Sequence, residues 1–309
     1  MGVARELLLK GSESRWLAGQ LSRRRFVRRA VKRFMPGEEA EDPLAAGAML
    51  GERGIPCIFT ILGENVADAE AASGVADTYV AFLGLLSTAG VTGYISVKPT
   101  HLGLDHGFQS TLGNLDRLAA AAAQHDRMVA VDMESTRYVD PTLDLYRELR
   151  ARHDNVGVCL QAYLYRTGAD LDDLLGISPM IRLVKGAYKE PADLAYPKKS
   201  DVDASFLRLA ERMLEAARED RARVSFGTHD ESIIGEINRK AADMRVPRES
   251  YEFQLLYGIQ RGLQESLVAA GYRLHVLISY GSYWFPWYMR RLAERPANVG
   301  FVMRSIVRR

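Results

Sequence analysis

A chain of 309 residues with 47% hydrophobic and 26% charged side chains has ordinary globular composition. It is long enough for about two domains or one large α/β barrel, and wholesale disorder and fibrous repeats are excluded. The charge balance of 41 − 39 = +2 excludes a strongly basic nucleic-acid coat, but ten Lys/Arg and two Glu fall in residues 1–35, so that segment carries +8 and the rest −6.

The first 45 residues read as a separate basic helical arm. Leu7, Leu8, Leu9, Trp16, Leu17 and Leu21 lead into RRRFVRRAVKRFM, where Phe26, Val27, Ala30, Val31 and Phe34 recur at helical spacing. Arginines cover the opposite face. Pro36-Gly37 ends this helix, and the acidic EEAED with Pro43 reads as a linker. The basic face is either solvated or a contact for anionic lipid or nucleic acid; of these partners an anionic membrane surface is expected and a nucleic acid is not. No apolar stretch reaches the length of a spanning helix, and the start lacks a signal-peptide core. Cys57 and Cys159 lie in apolar runs without a disulfide framework, so a cytoplasmic location is expected.

Residues 46–309 form the second unit. Short β-rich runs appear at IPCIFTIL, GYISVKP, MVAVDM, GVCLQAY, MIRLVKG, RVSFGTH, YEFQLL and LHVLISY. Helical stretches separate them at 66–86, 111–125, 142–152, 169–175, 200–220, 232–244 and 262–270, and a last one begins near Ser282. Eight such units predict a closed (β/α)₈ barrel. An open doubly wound sheet is the competing architecture, and neither GxGxxG nor GxxxxGK[ST] is present to support it.

Barrel sites are built at the carboxy-terminal strand ends. Those ends supply Lys98, then Asp132-Met133-Glu134, Gln161-Ala162-Tyr163, residues 182–188, Thr228-His229-Asp230, Gln254 with Leu256 and Tyr257, and Ser279-Tyr280-Gly281. Arg182, between Ile181 and Leu183 inside a strand, needs an anionic or strongly polar partner. Asp132, after the apolar MVAV, is explained equally by a salt bridge or a site. The six histidines form no HxxxH or HExxH pair, so metal chemistry is not expected, and no GxSxG elbow is present. A mouth rich in Lys, Arg and backbone donors suits a planar, phosphate-bearing cofactor and a small anionic substrate. In YGSYWFPWYMRRLAER, Arg290 and Arg291 beside aromatic residues read as a carboxylate clamp, or as a solvated helix with an Arg290–Glu294 pair.

IRLVKGAY, VDMES, LQAY, GTH, YEFQLLYG and the terminal YGxxWxPxxxRRLAER resemble proline dehydrogenase, in order from about residue 50 to the C-terminus. The resemblance implies a distorted (β/α)₈ barrel holding FAD in its mouth and oxidising L-proline to Δ¹-pyrroline-5-carboxylate, with a membrane quinone as electron acceptor. It places Arg182 against the flavin as a catalytic residue, with Met133, Gln161, Val184, Lys185, Gly186, Ala187, Tyr188, Thr228 and His229 around the cofactor. Lys98, Arg290 and Arg291 would bind the proline carboxylate, oriented by Glu294, with Asp132 catalytic in the same polar network. Tyr280, Leu256 and Ala187 would wall the pyrrolidine ring. Trp287 stands where the family often has Tyr, a change in that ring pocket, and Lys189 stands where long forms carry Trp. A Schiff-base lyase using Lys185 or Lys98 is the rival reading.

Overall fold

The computed structural model describes residues 31–285 and 287–289. Eight parallel strands close in sequence order: β1 (Cys57–Ile61), β2 (Gly93–Val97), β3 (Val129–Val131), β4 (Val156–Gln161), β5 (Met180–Val184), β6 (Arg223–Gly227), β7 (Tyr251–Leu256) and β8 (Arg273–Tyr280), with β8 paired to β1. The expected (β/α)₈ barrel is therefore present. No helix among the described residues is long and apolar enough to cross a membrane.

Of the stretch expected to be a linker, residues 38–40 are non-helical, and Glu41, Asp42 and Pro43 open helix α1 (Glu41–Gly51). Pro43 lies in its first turn, where the missing N–H would have no helical acceptor. Ala46, Gly47 and Leu50 are buried. A Cβ on Gly47 would lie 2.9 Å from Phe59 Cζ, so α1 sits tightly on the barrel wall. It packs over β8 and β1, the gap that a helix following β8 would otherwise fill. The chain beyond β8 turns over the mouth instead: Trp284 donates to Glu38 Oε1 at 3.1 Å, and Trp287 lines the cavity there. Residues 1–30, most of the expected arm, lie outside the described residues, as do Arg290, Arg291 and Glu294.

The other helices are α2 (Ala69–Thr88), α3 (Phe108–Ala123), α4 (Val139–Arg150), α5 (Thr167–Leu174), α6 (Lys199–Arg218), α7 (Glu231–Asp243) and α8 (Arg261–Ala269). Their apolar stripes cover the outward strand residues, such as Phe59, Ile95, Val131 and Phe253, in one continuous core. Inward residues alternate with these along each strand, and Ile58, Tyr94 and Ala130 form a separate apolar cluster.

One seam of the barrel is held by a side chain. The β1–β2 register ends at Phe59↔Ile95, while β1 stays paired with β8 as far as Ile61↔Tyr280. The fully buried Tyr79 of α2 fills the gap: its hydroxyl accepts from Ile61 N at 2.9 Å and donates to Ser96 O at 3.2 Å. Two buried backbone groups that leave the ladder are thereby satisfied.

Candidate active site

Alternation along the strands brings Lys98, Asp132, Gln161, Arg182, Val184, Gln254, Leu256, Leu277 and Ser279 around a cavity of about 800 Å³ at the strands' carboxy-terminal ends. That volume is within the range of small-molecule and cofactor sites.

Asp132, one residue past β3, organises the floor. Its Oδ1 accepts from Ser96 Oγ at 2.7 Å and from Arg182 Nη2, and its Oδ2 accepts from Lys98 Nζ at 2.9 Å. Arg182, 8% exposed, also donates to Ser96 Oγ at 3.0 Å and to Gln254 Oε1 at 3.4 Å. The partner that a strand-internal arginine requires is thus Asp132, 50 residues earlier in the chain. Burial alone would raise the Asp132 pKa, but Lys98 and Arg182 outweigh it, with the Ser96 hydrogen bond, and hold it at about 2. Burial likewise works against the Lys98 ammonium, and Asp132 overcomes it, so Lys98 stays charged well above the ordinary lysine range. A Schiff-base nucleophile must be a neutral amine, so this lysine does not suit the lyase reading.

The opposite rim is wetter. Lys185 Nζ lies 2.6 Å from Asp203 Oδ1 and 2.9 Å from Asp230 Oδ2, and Lys199 bridges the same two carboxylates. Lys185 thus lies between two carboxylates. Gly186 has φ +109°, and a Cβ there would lie 2.3 Å from the Tyr163 ring, so only glycine fits this turn. Ala187, Tyr188, Thr228 and His229 continue the lining. Thr228 Oγ1 accepts from Asp230 N at 3.1 Å, and His229 Nε2 accepts from Leu256 N at 2.9 Å, tying the β6 loop to β7. Met133 O accepts from Gln161 Nε2 at 3.3 Å. Gln161 Oε1 and Arg182 Nε are buried without a hydrogen-bond partner, although both residues line the cavity. Two unspent polar atoms, one acceptor and one donor, fit the edge of a planar polar heterocycle, and the Gly186-Ala187 backbone leaves room for its close approach.

Tyr280 lies elsewhere than the sequence reading put it. On β8 the residues facing the cavity are Leu277 and Ser279, whereas Tyr280 packs against Phe82 of α2 with ring centroids 5.0 Å apart. It lines a second cavity of about 590 Å³ outside β1, with His101 and Leu85. Leu256 and Ala187 do line the main cavity, so Leu277 takes the position expected of Tyr280. Residues missed from the sequence include Ser96, Phe34 and Tyr79. Ser96 was findable, being two residues before Lys98 and so on its face. Phe34 lines the mouth because its turn docks on Gly258, where a Cβ would lie 1.7 Å from Arg33 O, and nothing local in the sequence signals that contact.

The comparisons with known proteins converge on one family. Residues 44–304 match the proline dehydrogenase family profile. Proline dehydrogenase 2 of Bacillus subtilis (strain 168) is 32% identical over 307 residues, 99% of this chain and 100% of that one. The proline dehydrogenase of Deinococcus radiodurans is 36% identical over 294 residues, 94% of this chain and 93% of that one. Among solved structures, proline utilization A from Bdellovibrio bacteriovorus, inactivated by N-propargylglycine, superposes with a TM-score of 0.81 at 21% identity, covering 94% of this chain and 36% of that larger one. That structural likeness concerns the fold. The sequence matches run through the same strand ends that carry Lys98, Asp132 and Arg182, and by them the chain belongs to the proline dehydrogenase family.

Proposed function

We propose that this protein oxidises L-proline to Δ¹-pyrroline-5-carboxylate, with FAD as cofactor and a membrane quinone as the final acceptor. The observation that carries the reading is the floor of the cavity, where two cations, the half-buried Lys98 and the buried Arg182, share the Asp132 carboxylate. Such a floor suits a small anionic substrate under a polar heterocycle. The relatives' names specify proline.

In this reading Arg182, Gln161, Met133, Val184, Lys185, Gly186, Ala187, Tyr188, Thr228 and His229 hold the cofactor. The flavin, when bound, supplies the hydride acceptor. Lys98 binds the substrate carboxylate together with Arg290 and Arg291, which Glu294 orients. Leu256, Ala187 and Leu277 wall the ring. Held at about 2, the Asp132 carboxylate is too weakly basic to take a proton near neutrality, so it does not serve as a general base; it fixes Lys98 and Arg182 and sets the local field. The basic arm of residues 1–35 contacts the anionic inner face of the membrane, bringing a cytoplasmic enzyme to its acceptor.

The test is direct. The purified protein should be yellow and should bleach anaerobically with L-proline. A colourless protein, or a yellow one that L-proline leaves unchanged, would refute the assignment. Arg290→Met and Arg291→Met should each raise KM for L-proline about tenfold or more with flavin retained, as loss of a charge-assisted hydrogen bond requires. Wild-type kinetics in both variants would remove them from the site.

A further inference from the structure

A polar chain continues beneath the cavity floor. Glu252 and Gln254 lie two apart on β7 and share its inward face. Gln254 Nε2 donates to Glu252 Oε1 at 2.7 Å and to the Tyr94 hydroxyl at 2.9 Å. Both amide N–H groups are spent, which leaves Oε1 as the acceptor facing Arg182 Nη1 at 3.4 Å. His275 Nδ1 of β8 lies 3.2 Å from the other Glu252 oxygen, and its ring is 5.2 Å from that of Tyr94. Barrel interiors are ordinarily filled by branched apolar side chains, so a buried polar group here must satisfy itself or cost stability.

We propose that Glu252 is a positioning residue for the site: through Gln254 it fixes the lower acceptor that holds the Arg182 guanidinium. An ionised carboxylate only accepts hydrogen bonds, so it admits a single orientation of the Gln254 amide. The flipped amide would set N–H against guanidinium N–H, donor facing donor. Burial pushes the Glu252 carboxyl up, but His275 and Gln254 outweigh it and keep it below its ordinary value, hence ionised. Arg182 is thereby gripped from two sides, by Asp132 on β3 and by Gln254 on β7. The step from a fixed guanidinium to turnover rests on the function proposed above.

The experiment uses the full-length holoenzyme with Glu252→Gln, Gln254→Met and the double variant. Glu252→Gln should lower kcat for L-proline about tenfold with a smaller change in KM, the loss expected for one hydrogen bond to a charged group. It should also move the midpoint potential of the bound flavin in the positive direction, because a negative charge leaves the floor. In the Gln254→Met background Glu252→Gln should add nothing further. Glu252→Asp, which keeps the acceptor, should recover part of the loss and serves if Glu252→Gln does not fold. Wild-type kcat in Glu252→Gln, or additive losses in the double variant, would overturn the proposal. Urea unfolding of Glu252→Gln, Arg182→Met and their double decides it independently of turnover: coupled effects uphold it and additive effects refute it. If the wild type fails to oxidise L-proline, the proposed reaction falls and this cycle still judges Glu252.

Discussion

Two lysine–aspartate groups face the same cavity from opposite sides, and they are built differently. Around Asp132, two cations share one carboxylate, and the arginine is 8% exposed. At the β5–β6 rim, Lys185 and Lys199 share Asp203 and Asp230, and the Lys199 side chain is 72% exposed. At the floor both cations contact one carboxylate; at the rim two lysines contact two. Identical residue types therefore serve two purposes. The rim ties the β5 and β6 loops to α6, whereas the floor ties β2, β3 and β5 together through one carboxylate, and in the proposed function it is the floor that meets the substrate carboxylate. Burial separates the groups at their outer members: Lys98 and Lys185 are alike at 22% and 23% exposed, whereas Arg182 is buried and Lys199 stands in water, where its pairs are screened.

Breaking the floor at the carboxylate both cations contact should have the largest effect. Asp132→Ala leaves the buried Arg182 beside Lys98 without the carboxylate that both contact, and should cost about 3–5 kcal/mol of stability in urea unfolding. A loss near zero would show that water already compensates the pair. Lys98→Met should be milder for the fold, since Asp132 keeps Arg182, but it should lower kcat/KM for L-proline by about 10- to 150-fold through the lost charge-assisted contact. Stopped-flow reduction of the flavin by L-proline measures it.

Acid separates the two groups by another route. The Asp132 carboxyl is held at about 2 against an ordinary 3.8, so its contribution is fully present above pH 3.8 and is lost as pH falls toward 2. Wild type should lose about 2 kcal/mol across that window that Asp132→Asn does not lose. Parallel acid profiles would show that the floor pair makes no such contribution. The smallest effect belongs to the rim: Lys185→Met should change stability by less than about 1 kcal/mol, as expected for a partly exposed pair. A loss comparable to that of Asp132→Ala would erase the distinction between floor and rim.

Much of the molecule was legible in the chain. The eight β-rich runs from IPCIFTIL to LHVLISY contain the strands found there except for Val156 and Arg273, the first residues of β4 and β8, because short apolar runs bounded by turn residues and separated by amphipathic stretches leave a parallel barrel little competition. Lys98, Asp132 and Arg182 were visible as charges at or inside such runs, where burial without a partner is costly. The linker expected at residues 38–43 holds only for 38–40, because Pro43 sits in the first turn of a helix, where proline is compatible with helical backbone.

What the sequence by itself determined is the set of strands, the closed topology and the identity of the charges that must find partners. Which charges pair was decided by the fold alone: Asp132 meets Arg182 only because barrel closure brings β3 and β5 residues, 50 positions apart, across one interior. The facing of Tyr280 was decided there too. A parallel barrel strand is buried on both sides, its inner face by the interior and its outer face by helices, so hydrophobicity does not tell one side from the other. In LISY, Leu277 and Ser279 turn inward while Ile278 and Tyr280 turn out toward the helix layer, and that parity is fixed by the register β8 adopts against β1 and β7.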